Sequence, residues 1–228
     1  MTTADDSPPL PEGRSPTLSD GTVSSFRKRR GRLLARTLVG LAERLGRPVS
    51  VLDVGGRRDY WSNVGFEGVG RITLVNYDPA DLNRGADPDG RFVDELGDAR
   101  ALAGIGDGQF DFYHSNSVIE HVGGWDDMAA MAREARRVAP HGWVQTPAWE
   151  FPVEPHFRLP AMHWLATPAQ AALLRHARGY RGLDRWARRQ HAERINLLSR
   201  SEVRLLFPDT DIRTERVLLL PKSYVVTW

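Results

Sequence analysis

The chain has 228 residues, 41% of them hydrophobic and 9% aromatic, with a formal net charge of +2; this suits one sizeable globular α/β domain. Cysteine is absent, which excludes disulfides, thiolate zinc sites and a cysteine nucleophile. The apolar stretches are too short to span a bilayer and no charged-then-apolar secretory segment opens the chain, so a cytoplasmic protein is expected.

Met1 to about Asp20 is rich in Ser, Pro, Asp and Gly with few large apolar groups. Such a segment buries too little surface to offset its ordering entropy, so residues 1–22 read as a mobile tail and 23–228 as the domain. A helix is predicted from about Val23 to Leu45, with Leu33, Leu34, Leu38, Leu41 and Leu45 as its apolar stripe. The basic run Arg27-Lys28-Arg29-Arg30, with Arg32 and Arg36, reads as the solvated face of that helix, or else as a patch for nucleic acid or an anionic membrane.

Gly46-Arg47-Pro48 ends the helix, and Val49 to Val54 is a buried strand closed by Gly55-Gly56. Strands follow at Arg71 to Asn76, Phe92 to Asp94 and Asp111 to Ser115. A helix is predicted at Asp126 to Val138, a turn at Pro140-His141-Gly142 and a fifth strand at Trp143 to Thr146. Strands alternating with helices imply a mainly parallel sheet with right-handed crossovers. About 149–198 then changes character, with a proline- and aromatic-rich stretch before helical patterns at Pro168 to Arg178 and Leu183 to Asn196. Ser199 is placed to cap a short helix from Ser201 to Phe207. Asp211 to Leu219 and Ser223 to Thr227 read as two antiparallel strands joined across Pro221-Lys222. No internal repeat and no second hydrophobic core are expected.

Polar residues recur at the strand ends: Asp53 after the first, Asn76 and Asp78 after the second, Asp98 after the third. In a doubly wound sheet these ends line one crevice. A group after the second strand sits where a ribose lies, and a carboxylate accepts from its hydroxyls. A carboxylate after the third strand can accept from an adenine amino group while the Ala99 N–H donates to the ring. No lysine P-loop and no G-x-G-x-x-G occur, so the ligand suggested is a nucleoside without phosphates.

The ordered segments Val51-Leu52-Asp53-Val54-Gly55-Gly56, Ile72-Thr73-Leu74-Val75-Asn76-Tyr77-Asp78, Gly97-Asp98-Ala99 and Phe110 to Val122 resemble the successive motifs of class I S-adenosylmethionine-dependent methyltransferases. Val144-Gln145-Thr146-Pro147 and Phe151-Pro152-Val153-Glu154-Pro155-His156 resemble a bacterial small-molecule subgroup. The resemblance covers about Ser25 to Trp228. It departs in two places: Arg57-Arg58-Asp59 replaces a longer glycine-rich turn, and Asn76 stands where the ribose acid usually does, with Asp78 two residues on.

The resemblance implies a Rossmann-like seven-stranded, mostly parallel sheet with an antiparallel last strand and a helical cap inserted after strand five. It implies S-adenosyl-L-methionine as cofactor, with Asp53, Gly55 and Gly56 on the methionine part, Asn76 or Asp78 on the ribose, Asp98 and Ala99 on the adenine, and Ser115 and Asn116 beside the sulfonium. Methyl transfer needs an acceptor held in line in a dry pocket, and a general base helps where the acceptor still carries its proton. The candidates are His121, His156 and Glu154, each of which could instead fix local structure. Trp149, Phe151, Phe157, Met162, His163 and Trp164 could wall an acceptor pocket or pack the cap onto the sheet. Tyr60 and Trp61 could cover the cofactor or pack a helix.

The expected reaction is methylation of a small molecule, most readily at oxygen, with no metal. Nucleic acid is not the expected partner, since Ser115-Asn116-Ser117-Val118 stands where a base-methylating signature would lie. A nucleic-acid or protein methyltransferase and a non-catalytic partner subunit are the alternatives.

Overall fold

The computed structural model describes residues 25–82, 85–153, 157, 159–177 and 179–228. The segment read as a mobile tail, with Glu154 and His156, lies outside them.

Leu34, Leu38 and Leu41 recur at helical spacing and are buried; they seat α1 (Ser25–Leu45) on the sheet. β1 (Val49–Val54), the short helix α2 (Arg58–Val64), β2 (Val69–Asn76), β3 (Phe92–Leu96) and β4 (Phe112–Asn116) follow. α3 (Trp125–Val138) and β5 (His141–Pro147) lead into a cap holding α4 (Thr167–Leu173) and α5 (Arg185–Glu193). α6 (Arg200–Leu206), β6 (Asp211–Val217) and β7 (Leu220–Thr227) complete the chain.

The seven strands form one sheet in the order β3-β2-β1-β4-β5-β7-β6. β1 to β5 pair in parallel, and β7 runs antiparallel to both β5 and β6, as the family resemblance implies. Side chains alternate between the two faces. Val51, Ile72, Leu74, Phe112 and Val225 pack under α1 and α2. Leu52, Val54, Val75, Tyr113 and Val226 pack under α3 and α6.

Several boundaries differ from the sequence reading. The seven-residue α2 is unannounced because it is too short to show a period, though it buries Trp61. Pro140-His141-Gly142 is not a turn: His141 and Gly142 pair with Phe112 and Tyr113. Gly142 is glycine because a Cβ there would stand 2.1 Å from the Trp228 ring. The cap does have its own core, of Phe157, Met162, Leu174, Tyr180 and Ala192 among others, against the expectation of none. Its helices are shorter than their patterns suggest. Both ends of the cap meet where Ala148 bridges Leu198.

The last two strands do not join across Pro221-Lys222. Val217 pairs with Leu220, so the turn is Leu218-Leu219, and Pro221 sits in β7 at a register shift. Leu218 takes φ +54, the conformation glycine normally supplies at the first position of a two-residue hairpin. For leucine this costs about 1–2 kcal/mol.

Asp111 ties the start of β4 to β1. Its carboxylate accepts from Arg47 at 2.7 Å, from Ser50 N at 2.8 Å and from Ser50 Oγ at 2.7 Å. The Arg47 hydrogen bond is the main cause that lowers its pKa to about 2. The folded value lies below the unfolded one, so this stabilisation is complete above about pH 4 and is lost as pH falls toward 2. Since Arg47 is exposed to solvent, we expect Asp111→Asn to lower stability by only about 1 kcal/mol at pH 7. In thermal melts the difference from the unmodified chain should close near pH 2.

Candidate active site

At the carboxyl ends of β1, β2 and β3 lies a cavity of about 340 Å³, where an open α/β sheet places its ligand. Its walls include Val54, Val75, Val118 and Val122, with Tyr77, Asp98, Arg100 and His121 at polar or open positions. Gly55 holds φ +70, and a Cβ there would come 2.4 Å from Val118 Cγ2. Only glycine lets the turn after β1 approach the loop after β4 so closely. Gly97 does the same for the turn after β3, where a Cβ would meet Val75 Cγ1 at 2.8 Å.

Asp98 and Ala99 are on this wall. The Asp98 carboxylate is forked by Arg100, with Nε 2.9 Å from Oδ1 and Nη2 2.6 Å from Oδ2, and it also accepts from Arg100 N at 2.9 Å. These bonds hold its pKa below the usual carboxylate value. Arg100 reaches on to Asp127 at 3.1 Å. The sequence reading missed Arg100, although a charged residue two places after a turn aspartate is a local signal for such a pair.

Strand parity separates Asp53 and Asn76 from that wall. Val54 and Val75 face the cavity side, so their neighbours Asp53 and Asn76 face α1 and α2. Asp53 is fully buried. Its Oδ2 accepts from Trp61 Nε1 at 2.7 Å and its Oδ1 lies 2.6 Å from His114 Nδ1. Tyr60 stacks on the His114 ring, with centroids 5.1 Å apart, and burial raises the pKa of its hydroxyl. Gly56 rests directly on Asp53, since a Cβ would fall 1.8 Å from Oδ2. Asn76 Nδ2 donates to the Gly56 carbonyl at 3.1 Å. Asp53 and Asn76 thus support the glycine turn from beneath. Asp78 is exposed and accepts from Ala80 N at 2.8 Å, beside the cavity residue Tyr77.

His121 closes the short turn after β4, on the cavity wall. Ser115 is buried in β4. Asn116 turns toward α1, where its Oδ1 accepts from Arg30 Nη1 at 2.9 Å. Arg30 also donates to Gln145 Oε1 at 2.7 Å and to Glu215 Oε2 at 2.5 Å. Within the basic run, Arg30 is thus buried, whereas Lys28, Arg29, Arg32 and Arg36 are exposed, as a solvated face requires.

A second cavity, of about 350 Å³, opens between the start of α3 and the cap. Trp125, Trp149, His163, Gln170, Glu193 and Asn196 are on its lining. Asn196 fixes the cap to the turn after β4, donating from N to Glu120 O at 2.9 Å and from Nδ2 to Gly123 O at 3.0 Å. Phe157 and Met162 instead fill the cap core. Among the described residues, no cluster of three or more His, Cys, Asp or Glu side chains is placed to hold a metal, and no helix is long and apolar enough to cross a membrane.

The sheet order, the reversed β7 and the cavity at the tips of β1 to β3 define a class I methyltransferase fold. Residues 26–215 match the family model described as a methyltransferase domain, and the chain belongs to that family. No curated protein matches the sequence. Among solved structures, a Rhodobacter sphaeroides protein assigned as a Zn-dependent alcohol dehydrogenase superposes with a TM-score of 0.57, at 13% identity over 91% of this chain and 90% of that one. The PH0226 protein from Pyrococcus horikoshii OT3 gives 0.54, at 17% identity over 93% and 94%. The N-terminal domain of EvdMO1, solved with S-adenosylhomocysteine and D-fucose, gives 0.53, at 14% identity over 91% and 84%. At these identities the likeness is one of fold.

Proposed function

We propose that this methyltransferase moves the methyl group of S-adenosylmethionine to a hydroxyl oxygen of a small-molecule acceptor. The observation that carries the reading is the 340 Å³ cavity itself: apolar side chains offer faces for a purine and Asp98 offers an acceptor at its edge. In this reading Asp98 and Ala99 N–H hold the adenine and Asp78 the ribose. Gly55 and Gly56 receive the methionine part, positioned from below by Asp53 and Asn76. Ser115 stands next to the sulfur, and Asn116 supports that strand end through Arg30. When bound, the cofactor supplies an electrophilic methyl carbon, and the acceptor oxygen displaces the thioether in line.

The second cavity is the proposed acceptor chamber. It begins at Gly124, three residues along the chain from His121, and its exposed Trp125 and Trp149 suit a ring-shaped acceptor. The D-fucose in whose presence the EvdMO1 domain was solved is a hydroxyl-bearing molecule of that kind. His121 is proposed as the base that takes the hydroxyl proton, with Glu154 and His156 completing the catalytic set.

The reading is tested by incubating the full chain with S-adenosylmethionine and either small hydroxylated acceptors, RNA or protein, and measuring S-adenosylhomocysteine. Turnover is expected with a small acceptor, and His121→Asn should lower kcat by about 100-fold. Turnover confined to RNA or protein would refute it.

A further inference from the structure

The tip of the β6–β7 hairpin turns two leucines to solvent: Leu218 is 92% exposed and Leu219 is 89% exposed, with Leu220 beside them at 46%. The first of them occupies a backbone conformation that glycine fills elsewhere. Neither burial nor turn geometry accounts for leucine at either place.

Cations lie at the base of this hairpin and along the helix beside it. The first turn of α1 lies at the base of the hairpin, where Lys222 Nζ sits 3.9 Å from the Phe26 ring centroid and Arg30 pairs with Glu215. From there Lys28, Arg32 and Arg36 follow at intervals of four along one exposed helix face. Arg36 shares a groove with Arg213 of β6, and Arg216 is exposed two residues before the tip. Of the acids in β6, Glu215 is engaged by Arg30 and Asp211 lies at the far end of the strand, while Glu150 accepts from Tyr224 of β7.

An apolar projection beside an arginine- and lysine-rich face has the composition of a bilayer-surface anchor. Aliphatic side chains enter the acyl boundary, and the cations meet anionic headgroups. A single-stranded nucleic acid would use the cations but would call for aromatic stacking platforms rather than exposed leucines. We infer that the β6–β7 hairpin and the basic face of α1 form a peripheral docking surface for an anionic lipid bilayer, entered by Leu218 and Leu219. The surface stands apart from the assignment of the methyl acceptor.

Co-sedimentation of the full chain with vesicles tests this. Binding is expected to equimolar phosphatidylcholine and phosphatidylglycerol, and at least about tenfold weaker binding to phosphatidylcholine alone. Leu218→Gly with Leu219→Asn installs a favoured hairpin turn and should weaken binding at least about tenfold. Arg32→Glu with Arg36→Glu should do the same. If the double leucine variant fails to fold, Leu219→Asp alone carries the same expectation. The inference is overturned by absent binding to the mixed vesicles or by binding indifferent to the leucine changes. It is also overturned by a dimer that the leucine changes split, or by tighter binding to RNA than to vesicles.

Discussion

Arg30→Met is expected to lower the stability of the chain by about 3–5 kcal/mol. The arginine and Glu215 are both nearly enclosed, with side-chain exposures of 9% and 11%. One guanidinium serves Asn116 at the end of β4, Gln145 in β5 and Glu215 in β6, so it pins α1 to three strands at once. Methionine fills much of the same volume but leaves the Glu215 carboxylate without its counter-ion and the Asn116 oxygen without the Arg30 donor, while Gln145 and Glu215 keep only Ser117 and Ser223, and the desolvation cost of those groups dominates the loss. Arg30→Lys keeps the charge without the fork and should fall between the two. Arg30→Met with Glu215→Met should recover much of the loss, because no charge is then stranded. In thermal melts the single change should appear as a drop of about 10 °C, and denaturant titration of the four proteins gives the coupling directly.

Asp98→Ala is the second large effect, and it should fall on binding rather than folding. The Asp98–Arg100 pair is partly exposed, with side-chain exposures of 31% and 37%, so its loss should change stability by no more than about 1 kcal/mol. The consequence at the cavity is greater. Alanine removes the acceptor proposed for the adenine amino group and leaves the Arg100 cation on the wall without its neutralising fork. A hydrogen bond to a charged group contributes about 1.5–3 kcal/mol, so affinity for an adenosine ligand should fall at least about tenfold. Asp98→Asn keeps a carbonyl acceptor and should lose less.

The parallel core of the fold was legible because its signals are local. Val49 to Val54 is an apolar run closed by glycines, and Ser199 caps its helix with Glu202 reaching back. Features set by distant partners were not legible. Gly142 reads as a turn until the ring of Trp228, 86 residues later, is laid against it. Leu218-Leu219 contains no turn residue, so Pro221 drew the turn to itself. Arg30 looks like its neighbours in a basic run, and only the register of β4, β5 and β6 shows that it is buried.

The site was half visible for a related reason. Strand ends, and therefore Asp53, Asn76 and Asp98, can be counted along the sequence. The face each side chain takes follows from parity, which puts Asp53 with Trp61 and His114 rather than on the cavity wall. Arg100 falls outside the motif segments of the family resemblance, and Tyr77, although inside one, stands between the polar residues Asn76 and Asp78 that drew the ribose assignment.

Calorimetric titration of the full chain and of Asp98→Ala with S-adenosylhomocysteine bears most directly on the assignment of the cavity at the tips of β1, β2 and β3. One ligand should bind per chain, at least about tenfold more weakly to the variant. An unmodified chain that binds no ligand, or a variant that binds as tightly as its parent, would contradict it.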